Sequence, residues 1–223
     1  MNANSSGGKL TVKQQREAQR AEKLERFKRE QARAARRRKI GIVAAVVGGL
    51  AVLALVVTSV ILTPGGARYT AGGDGAEIEG AETFSNTAVH VQTDVDYAQT
   101  PPAGGDHSAV WLNCGVYSEP VPDENAVHSL EHGAVWVTYR PDLLSDEDVD
   151  ALRKLMPSSH AILSPFDGMD SAIAVSAWNA QLAVDDVDDE RIGEFIEEFW
   201  RSQDAPEPGA SCSGALDAPG KVA

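Results

Sequence analysis

The chain has 223 residues, 43% of them hydrophobic, which is enough for one folded domain with accessory segments and not for two. Its net charge of -13 hides a division: residues 1 to 39 hold thirteen Lys or Arg against four Glu, and the remainder holds seven basic against twenty-nine acidic residues. So acidic a main part lacks the Lys and Arg that phosphate neutralisation needs, which argues against nucleic acid as its partner and leaves only the N-terminal segment suited to anionic lipid.

The first 39 residues form a basic tail. From Thr11 to Lys39 the residues are strong helix formers, with Glu17, Glu22, Glu25 and Glu30 interleaved among Lys and Arg at spacings that include i to i+3 and i+4. A solvated or membrane-surface helix is expected there, serving as a topology signal or as a contact to lipid headgroups.

Ile40 to Leu62 follow as twenty-three residues without a charge. As a helix they would reach about 34 Å, enough for a tilted transmembrane span. Arg33, Arg36, Arg37, Arg38 and Lys39 precede the segment and only Arg68 follows closely, so the expected orientation keeps the N-terminus in the cytoplasm and the C-terminal domain outside. A cleaved signal peptide is the competing reading. Its charged region would be unusually long, and Thr63-Pro64-Gly65-Gly66 is a poor cleavage site.

Residues 63 to 81 contain Pro64 and glycines at 65, 66, 72, 73, 75 and 80, and are expected as a flexible tether. An extracytoplasmic domain then occupies residues 82 to 223. Alternation predicts a strand over Ala88 to Thr93, and Pro101 to Asp106 reads as a loop that ends at His107. Further strands are expected at Val110 to Leu112, Ala134 to Tyr139, Ala161 to Leu163 and Ala172 to Trp178. Ser145 with Glu147 and Asp148 opens a helix that stops before Pro157, and Asp188 to Arg201 forms a second, with Ile192, Phe195, Ile196 and Phe199 on one face. The tail after Asp204 reads as irregular. This order predicts an α+β domain, a mainly antiparallel sheet with two packed helices, preceded by the transmembrane helix and the basic cytoplasmic helix.

Cys114 and Cys212 are the two cysteines, and in an oxidising compartment a single structural disulfide between them is the simplest reading. The alternatives are a metal-ligating Cys114 or a reduced Cys114 activated as a nucleophile by His107 or His128.

The densest chemical signal is the run Glu124 to Gly133, in which His128 and His132 stand four apart with Glu131 between them. On a helix the two imidazoles share a face and can hold one transition ion, copper or zinc, between ring nitrogens. His107, after its Gly-rich loop, is the expected third ligand. Glu131 is expected as a ligand or an orienting carboxylate, and Met169 as a soft donor were the ion cuprous. The structural alternative is a hydrogen-bonded core network. His90 and His160 are read as ordinary strand residues. His128-Ser129-Leu130-Glu131-His132 also matches the H-x-x-E-H pattern of inverzincin proteases, with Glu194, Glu197 or Glu198 as the later acidic ligand; the glycine and strand that follow at once disfavour that reading.

Pro101-Pro102, Gly105-Asp106-His107, Cys114-Gly115-Val116-Tyr117, Glu124 and Val127 to Gly133 through Tyr139 together resemble the bacterial domain of unknown function 3105 family. The resemblance covers roughly residues 82 to 210, including Ala177-Trp178 and the final helix. It implies an anchored extracytoplasmic domain with its polar site at His107, His128, Glu131 and His132, and it implies no activity. From the chemistry of these residues, not from the resemblance, a metal-binding module facing an envelope protein is the leading expectation. A zinc hydrolase and an accessory subunit of a membrane complex, with Gly41, Gly48 and Gly49 permitting helix packing, stand beside it.

Overall fold

A computed structural model describes residues 12–62 and 67–222, which belong to two compact units. The N-terminal unit is one uninterrupted helix, α1 (Val12–Leu62), in place of the two expected segments. Nothing in the sequence breaks it, because the transition from charged to uncharged residues at Ile40 carries no Pro and only well-tolerated Gly. Ion pairs at helical spacing, Arg26 with Glu22 and Lys28 with Glu25, line its exposed surface. Among the described residues no helix is long and apolar enough to cross a membrane. The side chains of residues 53–62, on which the expected span depends, lie outside those described.

The second unit contains β1 (Glu82–Thr83), β2 (His90–Val91), β3 (His107–Ser108), β4 (Gly115–Val116), α2 (Asp123–Glu131), β5 (Val135–Tyr139), α3 (Asp146–Leu155), β6 (Ala161–Pro165), β7 (Ile173–Ala177), β8 (Ala180–Val184) and α4 (Glu190–Phe199). Six strands form one sheet in the order β1-β8-β7-β5-β6-β4, while β2 and β3 pair separately and in parallel. The β1-β8, β8-β7 and β7-β5 pairs are antiparallel. β5-β6 and β6-β4 are parallel, with α3 as the crossover between β5 and β6. The sheet is thus mainly antiparallel, as expected.

β5 is buried along its whole length, and its alternating side chains join two cores. Val135, Val137 and Tyr139 pack with Leu152 of α3 and with Ile192, Phe195 and Ile196 of α4. Trp136 points the other way, toward Ile162, Tyr117 and the α2 residues Ala126 and Leu130. Three helices therefore pack on the sheet where two were expected, α3 and α4 on one face and the additional α2 on the other. The period of two along the strand makes that partition. α3 starts at a capping box, where the Ser145 side chain and Asp148 each satisfy the other's backbone N–H.

Several local expectations are corrected. The strand over 88 to 93 shrinks to β2, which among the described residues pairs with the short β3 alone. Val110 to Leu112 is no strand; Leu112 makes a single bridge to Leu216. β8 was not expected and closes a hairpin with β7 through Asn179, which has φ of 62°. Of the tether at 63 to 81, residues 63–66 lie outside the described residues, and 67–81 are fastened to the domain rather than free. The Glu198 carboxylate accepts the backbone N–H groups of Asp74, Gly75 and Ala76, and Glu197 accepts that of Thr70. The C-terminal tail is irregular yet also bound. Asn113 N–H donates to Leu216 O, Cys114 N–H to Cys212 O and Ser118 N–H to Gly220 O. Cys114 and Cys212 form the expected disulfide. No free cysteine remains, which removes the nucleophile and metal-ligand readings of Cys114.

Candidate metal centre

His128 lies in the last turn of α2 and His132 caps its C-terminus one turn on, and both rings are buried with their Nε2 atoms 2.9 Å from each other. Gly133 follows the cap, and its φ of 86° serves the left-handed exit toward β5. β2 and β3 bring His90 opposite His107 in register, so two residues seventeen apart in sequence become neighbours. The tail pinned by the disulfide lies over His132 and brings Ser211 and Glu207 to it.

The tautomers follow from the hydrogen bonds. His107 Nδ1 lies 2.7 Å from Gly105 O, His128 Nδ1 2.6 Å from Ser108 O, and His132 Nδ1 2.6 Å from Ser211 O. A carbonyl only accepts, so each Nδ1 must carry the hydrogen and, in the neutral ring, each Nε2 must present a lone pair. Those lone pairs then face other lone pairs. His107 Nε2 is 2.9 Å from Glu131 Oε2, and His128 Nε2 is 2.9 Å from His132 Nε2. Acceptors held so close are favourable only with a cation between them. A backbone carbonyl on the far nitrogen is also the arrangement that orients imidazoles for metal binding.

The rings of His90, His107 and His128 form a nearly equilateral triangle, with centroids 4.9, 5.0 and 5.0 Å apart. Glu131 Oε2 caps it at 2.9 Å from His107 Nε2, 3.6 Å from His90 Nε2 and 3.9 Å from His128 Nε2. Donor atoms around a tetrahedral zinc with bonds of 2.0 to 2.1 Å lie about 3.3 Å apart, which these separations bracket. A second group, His128, His132 and Glu207, shares His128 with the first. Burial lowers the His128 pKa below its ordinary 6.5, with the Ser108 carbonyl and Glu131 opposing and the neighbouring His132 and His107 assisting, which favours the neutral ring. Trp178 stands edge-on to His107 at 5.7 Å and Trp111 lies 5.2 Å from His132, which gives the site apolar walls.

The expected set of His107, His128, His132 and Glu131 is thus brought together, but divided between two groups. His132 falls outside the four-donor group and His90 takes its place. His90 was read as an ordinary strand residue, and its contribution depends on strand pairing that leaves no local trace. Glu207, between Pro206 and Pro208, likewise carried no signal. Met169 is elsewhere, its sulfur accepting from Thr138 Oγ1 in the core, so the soft donor expected for a cuprous ion is not at the site. The α4 carboxylates belong to neither group, and Glu197 and Glu198 are committed to the segment at 70–76, so the third ligand of an inverzincin is not in place.

An α+β domain with a buried His-and-carboxylate cluster on a short helix is the class of protein that fold and site define. Residues 89–214, more than half of the chain, match the family described as protein of unknown function (DUF3105), and the chain belongs to that family. No curated protein and no solved structure matches it.

Proposed function

We propose that the domain is a binding module that holds one divalent transition ion, zinc or copper, between His90, His107, His128 and Glu131. The observation that carries this reading is the pairing of Nδ1 hydrogen bonds to backbone carbonyls with Nε2 lone pairs aimed at one another and at a carboxylate. With both cysteines in a disulfide and Met169 elsewhere, the donors are imidazole and carboxylate, which suit a divalent ion of borderline hardness better than a cuprous one. A hydrolytic role has weaker support, because Glu131 is buried against His107 instead of standing free as a base.

The test is elemental analysis of the full chain, purified without a histidine tag, beside His107→Ala/His128→Ala and His90→Ala. One ion per chain that is lost in the double variant supports the reading. His90→Ala, at the exposed edge of the site, keeps the fold and lowers affinity, so a folding failure in the double variant does not obscure the result. A chain that takes up neither zinc nor copper refutes it.

The module is further proposed to stand outside the cytoplasmic membrane on a single anchor at residues 40–62, with the basic tail inside. The uncharged run and its flanking Arg and Lys support this orientation. Protease added to intact cells should remove the C-terminal domain and spare the tail. Protection of the domain would contradict it.

A further inference from the structure

The two donor groups overlap at one residue. His128 belongs both to the set with His90, His107 and Glu131 and to the set with His132 and Glu207. His128 has a single free nitrogen, because its Nδ1 is bound to Ser108 O, so it cannot serve two ions at once. We propose that the sets are two stations for one divalent cation, a buried holding position and an outer release position, with His128 as the pivot retained in both. The proposal rests on the metal-binding reading above.

The donors make such a step feasible without an unpaired charge. His132 Nε2 lies 2.9 Å from His128 Nε2 and 3.4 Å from Glu207 Oε2. As the ion leaves His90, His107 and Glu131, it gains His132 and Glu207, exchanging one carboxylate for another. The charge of the ion is therefore compensated in each position, and no oxidation or protonation is required. A divalent ion departing past His90 instead would shed Glu131 with no carboxylate to replace it, which is costly while the ion remains partly buried.

The surroundings give the path its direction. Glu131 is 4% exposed and His132 3%, whereas the Glu207 side chain is 52% exposed, the one carboxylate of the two sets that reaches solvent. Glu207 is held there by its own N–H, which donates to Glu131 O at 3.0 Å, and by the disulfide that pins the following residues. The outer station is thus part of the C-terminal strap, which also supplies the Ser211 carbonyl that orients His132.

The experiment is stopped-flow transfer of zinc from the loaded full chain to the chromogenic chelator 4-(2-pyridylazo)resorcinol, comparing the native chain with Glu207→Gln and His132→Asn. Both variants should retain one ion per chain and release it about tenfold more slowly, since a lost outer donor raises the barrier to leaving more than it weakens holding. Release rates equal to the native one in both variants would overturn the proposal and place the exit at His90. Two ions bound at once to the native chain, one of them lost in Glu207→Gln, would overturn it in favour of a two-ion centre. A native chain that binds no zinc or copper refutes the underlying metal reading instead, so the two failures are distinguishable.

Discussion

His107 Nε2 faces Glu131 Oε2 across 2.9 Å while His107 Nδ1 is bound to the Gly105 carbonyl, so in the neutral ring a lone pair meets a carboxylate. A proton or metal ion between them converts repulsion into attraction. Glu131→Gln tests this directly, because the amide can present an N–H to His107. The metal-free variant should melt at the same temperature as the native protein or higher, with a gain of up to about 1 kcal/mol. Its zinc affinity should fall by at least about tenfold. Calorimetric melts and metal titration check both halves; a large loss of metal-free stability would show that Glu131 is held by something other than a shared cation.

The disulfide ties position 212 to position 114 across 98 residues, and the strap it pins carries Ser211 and Glu207. Replacing both cysteines by Ser should cost roughly 4 to 5 kcal/mol in the chain-entropy account. Holding of the ion should survive, since His90, His107, His128 and Glu131 all lie outside the strap. Denaturant midpoints with and without zinc measure the two effects.

Glu198 gathers three consecutive backbone N–H groups of the segment at 74–76, and a Cβ at Gly73 would come within 2.6 Å of the Glu198 Cα. Glu198→Ala should lower stability by about 1 kcal/mol and expose residues 67–76 to limited proteolysis. Gly73→Ala should expose the same segment, both through that contact and because its φ of 55° strains an L side chain. Unchanged cleavage in both variants would mean that the fastening is not maintained in solution.

His160 titrates below its ordinary 6.5, mainly because it is buried, with Arg201 and His132 adding to the effect and the Ala210 carbonyl opposing it. The unfolded chain therefore takes up the proton first as the pH falls, and stability is lost on descending below about 6.5. His128 shifts in the same direction for the same first reason. His160→Asn keeps a residue tolerant of the φ of 50° found there and should flatten part of the acid limb in a series of melts between pH 7.5 and 5. An unaltered slope would assign that limb to His128 and other groups alone.

Local chemistry was legible wherever a signal lay within a few residues. The Ser145 cap, the amphipathic face of α4, the buried run of β5 and the i to i+4 histidines of α2 all obey periods that a sequence displays openly. The disulfide followed from a count of two cysteines. What a sequence holds only implicitly is which distant segments meet. The β2-β3 pair that carries His90 to His107, and the strap that sets Glu207 beside His132, join residues separated by 17 and by 75 positions.

The sequence by itself thus determined the division of charge, the α+β class and the Cys114–Cys212 bridge, and it pointed to three histidines of the candidate donor groups, because composition and short-range periodicity act through neighbouring residues. Tertiary structure alone decided that His90 completes the four-donor group, that His132 turns toward Glu207, and that the Gly-rich segment before β1 is bound down. Each of those outcomes depends on strand pairing or loop closure, whose free energy is gained only when remote parts of the chain pack together.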